Sequence, residues 1–228
     1  MPTSLELIER FSEDIAFQGT LANQQLAVPS CPEWTVGDLI YQVGRVQLFW
    51  AHNLLARDSS TKSSLGEVED PADDNLAQWF RACTASLAAA LEDLGDNSPC
   101  WTWWGEPLTS GAVARHQVQE AAIHHWDVCL SLGNRQTIDH DVAHDGVGEF
   151  LEVHASEIPT TGRPMVIFRS TDTGGTWNVP GDTSAPTEIR GTASDLALLL
   201  NGRIALAELN VGGSFSGVQL LLDAIDLT

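Results

Sequence analysis

The spacing of apolar residues changes once along this 228-residue chain, and that change constrains the fold more than any single motif does. Up to about residue 134, apolar residues recur at three- and four-residue intervals, the period of a helix that buries one face. Leu5, Ile8, Phe11, Ile15 and Leu21 predict a helix over residues 4–22, stopped by the two prolines of "AVPSCPEW". Thr35 and Asp38 form a capping-box-like start for a second helix that runs to about Arg57. Its apolar stripe is Val36, Leu39, Ile40, Val43, Val46 and Trp50. After a polar loop, Leu76, Phe80, Cys83, Leu87, Leu91 and Leu94 mark a third helix. Ser110 is the expected cap of a fourth, which ends near Gly133 and Asn134.

Beyond "HDVAHDGVGEFLEVHASEI", which reads as one more helix, the pattern shortens. "RPMVIFRST", "GTWNV", "TEIRGT" and "AELNV" read as strands separated by Gly, Asp and Pro, with helices at "ASDLALLLNGR" and "FSGVQLLLDAI". The expected class is α+β, with an antiparallel four-helix bundle over residues 1–136 and a smaller C-terminal α+β domain over residues 137–228.

Acidic residues outnumber basic ones 31 to 11, for a formal charge of −20. Such a field repels phosphate backbones and anionic membranes, so the expected partner is a small-molecule substrate, with no nucleic acid and no membrane. The four cysteines, Cys31, Cys83, Cys100 and Cys129, form no C-x-x-C pair and read as reduced thiols. Cys31 has no basic partner nearby in sequence and reads as structural. The acidic, amphipathic "MPTSLELIERFSEDIAF" lacks the marks of an export signal, which predicts a cytoplasmic protein, monomeric or homodimeric. No G-x-S-x-G, P-loop or G-x-G-x-x-G motif occurs.

The chemistry-bearing segment is "RHQVQEAAIHHWD" in the fourth helix. Glu120 and His124 stand four residues apart, one above the other on one face. Two such groups can share a divalent metal or work as an acid/base pair. His116, Gln117, Glu120, His124 and Asp127 share one polar arc, opposite Val118, Ala121, Ala122, Trp126 and Cys129. That arc either faces water or lines a polar cleft. His116 lies about 12 Å along the axis from His124, too far to share an ion, and His125 is turned by about 100°. Trp101, Trp103 and Trp104 close the end of the bundle or wall a substrate pocket, and Arg115 and Arg203 read as surface ion-pairing residues.

The strings "VPSCPEWTVGDLIYQVGRV", "QEAAIHHWD" with the preceding Arg115, and "IRGTASDLALLLNGR" together resemble the mycothiol-dependent maleylpyruvate isomerase family of the DinB-like superfamily. The resemblance spans nearly the whole chain. It implies a DinB-like bundle with a smaller C-terminal α+β domain, and mycothiol and a divalent metal, usually zinc, as cofactors. It further implies metal ligation by Glu120, by His124 and by a histidine on the second helix. That third position is Gln42 here, and a second position often occupied by His is Gln47. A neutral amide oxygen is a poor zinc ligand, so the resemblance implies a degenerate or absent metal site. His52 stands about 15 Å further along the helix and does not replace it.

Three readings stay open at this point. The first is a metal- and mycothiol-dependent isomerase or thiol S-transferase. In the second, a diverged isomerase, cyclase or transferase uses Glu120 and His124 as catalytic groups in an inter-domain cleft, with Gln42, Trp104, Arg115 and Arg203 binding substrate. The third is a non-catalytic small-molecule-binding protein.

Overall fold

A computed structural model describes residues 2–20, 23–66, 71, 73–155 and 158–225. The chain divides into two compact units, Met1–Gln136 and Thr137–Thr228, and its class is α+β. In the first unit, helix α1 (Ser4–Gln18) starts at a capping box between Thr3 and Glu6. It ends earlier than the periodicity predicts, and Leu21 lies outside the described residues. The stop is Gly19, whose N–H donates to the Ile15 carbonyl at 2.9 Å. A Cβ there would stand 2.2 Å from Ile40 Cδ1, so any larger residue would require the Ile40 side chain to move. The prolines predicted to end the helix belong instead to a short antiparallel hairpin of β1 (Ala27–Val28) and β2 (Cys31–Thr35).

Helix α2 (Val36–Ala56) begins at the predicted Thr35/Asp38 capping box and ends on Arg57 in the left-handed conformation (φ 52°). Helix α3 spans Leu76–Leu94 and helix α4 spans Ser110–Ser131. The cap of α4 is Thr109, whose side chain accepts from the Ala112 N–H. Ser110 instead donates its hydroxyl to the Gly95 carbonyl and accepts from the Ser98 N–H at 3.1 Å, fastening the preceding loop. Helix α2 packs on α3 and α4, and α1 packs on α3 and α4. Ile15, Val36, Leu39, Ile40, Val43 and Phe80 meet in the core, each contributing about 1.5–3 kcal/mol by leaving water.

One amide is sealed into this bundle. Gln47 is 1% exposed; its Nε2 donates to Ser12 Oγ at 2.9 Å, and its Oε1 accepts from Thr84 Oγ1 at 2.8 Å. It thereby joins α1, α2 and α3 through satisfied polar groups. Gln42, five residues earlier, is exposed. At 100° per residue the two side chains leave the helix in directions about 140° apart, so only one can face inward.

In the second unit, α5 (His140–His154) is followed by β3 (Pro164–Ser170), β4 (Thr176–Val179), β5 (Thr183–Gly191), α6 (Ala193–Leu200), β6 (Asn210–Gly212) and α7 (Phe215–Ala224). Ser156 and Glu157, at the end of the predicted fifth helix, lie outside the described residues. The sheet order is β4-β3-β5-β6, with β3 and β5 parallel and the outer pairs antiparallel. The strand predicted at "AELNV" starts late, because Leu206–Glu208 form a short 3-10 turn first. A capping box between Thr192 and Asp195 opens α6, which packs against α5, β3 and β5. No helix among the described residues is long and apolar enough to cross a membrane.

These placements predict opposite outcomes for two glutamines on one helix. Gln47→Ala should cost roughly 2–3 kcal/mol in a denaturant unfolding measurement, from a cavity plus two hydroxyls that lose a partner. Gln42→Ala should stay within about 0.5 kcal/mol of the starting protein.

Candidate functional site on helix α4

Helix α4 is flanked on both of its arcs. Val118, Ala121, Ala122, Trp126 and Cys129 are buried, and so are His116, Gln117 and Asp127 on the polar side. Most of the polar arc is therefore enclosed, with Glu120 and His124 partly exposed along it.

The arc forms a line of alternating imidazole and carboxylate groups. His116 Nε2 stands 3.9 Å from Glu120 Oε1, and Glu120 Oε2 stands 3.6 Å from His124 Nε2. His124 Nδ1 lies 3.1 Å from Asp127 Oδ2, and the Ser30 hydroxyl donates to Asp127 Oδ1 at 2.6 Å. The side chain of Asp127 is fully buried, that of His124 is 16% exposed and that of Glu120 is 35% exposed. Glu120 is thus the member of this trio most open to a ligand.

Burial by itself works against a charged His124. Asp127 and Glu120, bonded and charged on either side of the ring, outweigh it and push its pKa up to about 9. The imidazolium form of His124 is therefore favoured. With both nitrogens protonated, it donates from Nδ1 to Asp127 and presents its Nε2–H toward Glu120. This arrangement can hold a carboxylate ionised, deliver a proton from Nε2 and exchange one between neighbours.

The same geometry tests the metal that the family resemblance implies. A metal-bound histidine commonly holds its other ring nitrogen against a carboxylate, as Asp127 holds His124 Nδ1, so the shortfall lies in the third ligand. Gln42, the predicted third position, is exposed on α2. The described residues contain no group of three or more His, Cys, Asp and Glu side chains able to hold a metal ion. The described residues thus lack the three-ligand set of a conventional zinc centre.

The other predicted site residues divide between places. Trp104 comes to the arc, its ring centroid 4.7 Å from that of His116. Trp103 is 6.0 Å and Trp50 6.1 Å from the same imidazole, and Trp101 stacks on Trp50. Arg115 is half-buried on α4. Arg203 belongs to the second unit, where Nη1 donates to the Asn201 carbonyl at 2.7 Å, just past the end of α6. His125 turns away as predicted; its Nε2 lies 3.4 Å from Cys129 Sγ and 3.9 Å from Asp14.

All four cysteines are free. Burial pushes the Cys83 thiol up to about 12 and that of Cys100 up to about 11, so both are poor nucleophiles. A cleft of about 310 Å³ at the head of α2 is lined by Gln24, Thr35, Asp38 and Tyr41 among others, and its described lining contains no predicted catalytic residue.

Sequence reasoning assigned no role to Asp127 or Ser30. Asp127 follows His124 by three residues, a spacing that brings their side chains together on a helix and could have signalled the pair. Ser30 is 97 residues away and gave no signal.

The profile of the mycothiol maleylpyruvate isomerase N-terminal domain matches residues 15–129. Two solved structures share the fold: mycothiol-dependent maleylpyruvate isomerase (TM-score 0.68) and a histidine-to-alanine mutant of it (TM-score 0.69). Each is 13% identical to this chain, and each likeness covers 95% of this chain and 94% of the other. A search of curated proteins finds no match.

His124 links folding to pH with a defined sign. Its folded pKa, about 9, lies above the ordinary value of 6.5, so its contribution to stability is complete below about pH 6.5 and is lost as the pH rises through about 9. The difference in unfolding free energy between the protein and its His124→Gln variant should shrink over that window. In Asp127→Asn, NMR titration should find the His124 midpoint lowered, and unfolding should show a loss of roughly 3 kcal/mol from breaking a buried pair.

Proposed function

Because the chain belongs to the mycothiol maleylpyruvate isomerase N-terminal domain family, we propose that it is a diverged member performing acid/base chemistry on a small molecule at α4. It acts as an isomerase, cyclase or transferase without a conventional zinc site. The observation that carries this reading is the placement of the His124 ring between Glu120 and the sealed Asp127.

In this reading the Glu120 carboxylate removes a proton from an acidified C–H or O–H of the substrate. The His124 Nε2–H then gives its proton to the oxygen on which negative charge develops. Asp127 retains the Nδ1–H throughout and keeps the ring in place, as Ser30 keeps Asp127. The pair is reset when the proton on Glu120 passes across the 3.6 Å gap to His124.

Likeness over 95% of the chain to a mycothiol-dependent isomerase favours a second reading, a metal- and thiol-dependent isomerase or S-transferase. It requires His124 to surrender its proton and a third ligand that the described residues do not supply.

Deuterium exchange separates the readings. In D2O, the protein should catalyse incorporation of deuterium beside the carbonyl of at least one member of a panel of ketones and 2-oxo acids. Glu120→Gln and His124→Gln should each slow it by about 10²–10⁴-fold. Exchange that survives both substitutions sinks the acid/base assignment, and no exchange across the panel points to a binding protein. In parallel, calorimetric titration with zinc should detect no stoichiometric site, and Gln42→His should not create one.

A further inference from the structure

The cleft of about 310 Å³ at the head of α2 has the size of a small-molecule pocket, and its described lining includes no residue of α4. On its wall stands Asp38, with one oxygen committed and one open. Oδ2 accepts from the Thr35 N–H at 2.8 Å and from the Thr35 hydroxyl at 2.7 Å, whereas Oδ1 has no hydrogen-bond or ion-pair partner among the described residues. The Thr35 hydroxyl, and after it the Thr35 N–H, hold the Asp38 carboxyl below its ordinary range, so the group is ionised at neutral pH. Arg45 does not answer that charge. It lies seven residues on, about 10 Å further along the axis, with its guanidinium 5.8 Å from the centroid of the Tyr41 ring.

The rest of the lining combines braced carbon surface with a further oxygen. Tyr41 stacks on Trp79 with ring centroids 5.3 Å apart. Gly44 lets Trp79 lie that close to α2, since a Cβ there would stand 2.4 Å from the indole. Leu76 adds an apolar wall, and the exposed Gln25 carries an amide oxygen with no partner among the described residues. The sign of a ligand's charge follows from the helix end. An anion at a helix N-terminus is held by unpaired backbone amides, and the first three of α2 are taken. The Val36 N–H donates to the Leu26 carbonyl at 2.9 Å, that of Gly37 to the Gln24 carbonyl at 2.9 Å and that of Asp38 to Thr35 Oγ1 at 3.2 Å. An anion would therefore meet the Asp38 carboxylate with no amide to receive it, in a chain of formal charge −20.

We propose that this cleft is a second binding site, for a protonated primary amine with a compact apolar body. The ammonium donates to Asp38 Oδ1 and to the Gln25 amide oxygen, and the body lies against Tyr41 and Leu76. A primary ammonium has three donors and no acceptor, so it matches a wall that offers open oxygens and no free backbone amide at the head of α2. The site is separate from the chemistry at α4, and neither depends on the other.

The test uses 2-phenylethylamine, 2-phenylethanol and phenylacetate, which share an aromatic body and differ in charge. Each is titrated into the ¹⁵N-labelled full chain at low ionic strength, with affinity read from the amide shifts. The amine should bind about fivefold tighter than the alcohol or better, the ratio expected for an ion pair at a partly open site. Phenylacetate should bind more weakly than both. The shifts should centre on Gln25, Asp38, Tyr41 and Leu76, and the preference should shrink as salt is added. Asp38→Asn keeps an oxygen for the Thr35 cap and removes the charge. Its preference for the amine should fall to about one, with the affinity for the alcohol unchanged. Glu9 is exposed on α1, and Glu9→Gln, which removes one charge away from the cleft, should leave the preference as it was.

Absence of amine binding, equal affinity for amine and alcohol, tightest binding of phenylacetate, or a preference retained in Asp38→Asn overturns the proposal. A preference that drops as far in Glu9→Gln overturns it too, because the amine is then drawn by the general field of the chain and not by Asp38. Should Asp38→Asn fail to fold, the shifts in the unsubstituted protein decide. Shifts confined to the cleft residues support the site, and shifts scattered over the acidic surface overturn it.

Discussion

A carboxylate removed from water has to be answered by partners of matching charge and geometry, and in this protein that carboxylate is Asp127. Its side chain is fully buried, with one oxygen facing the His124 ring and the other accepting from Ser30. Ser30 belongs to the turn between β1 and β2, one helix capping box away from α2. A single buried group therefore favours the charged form of His124 and ties the turn of the hairpin to α4. Breaking such a pair leaves an uncompensated charge in a medium that solvates it poorly.

The consequence for chemistry is a trade between two uses of the same residues. Glu120 and His124 stand at a spacing that can grip a metal, and the family fold spans almost the whole chain at 13% identity. Here the carboxylates on both sides of His124 favour its protonated form. Fold and reaction are separable in this way because packing tolerates broad substitution of the core, while a site depends on a few donors and their protonation states.

Much of the architecture was legible in local patterns. The Thr35/Asp38 box marks the start of α2, and the apolar spacing from Leu76 to Leu94 matches α3 end to end. What could not be read depended on distant neighbours. Gln42 and Gln47 both border the stripe of α2, and only the presence of Ser12 on α1 and Thr84 on α3 shows that Gln47 is the buried one. Ser110 and Thr109 are adjacent and chemically equivalent as caps, and Ser110 is diverted by the loop carbonyl of Gly95. The polar arc of α4 looked equally suited to water or to a cleft, because periodicity reports a face and not what covers it. Trp104 was placed near the site by its position just before α4; its contact with His116 depended on how the loop folds back.

The bond between Ser30 and Asp127 spans 97 residues, which has a bearing on the order of assembly. Helices α1 to α4 can each begin from contacts a few residues apart, whereas this bond closes a loop that contains α2 and α3 entirely. Loop closure of that length is entropically costly until intervening elements have condensed, so such contacts arise late. The charged state of His124 depends on Asp127 being enclosed. A bundle that has formed its helices but has not yet docked the hairpin would hold the right residues in a row without their final proton affinities. The proton affinity of His124 is thus set at the end of folding, after the helices that carry these residues have formed.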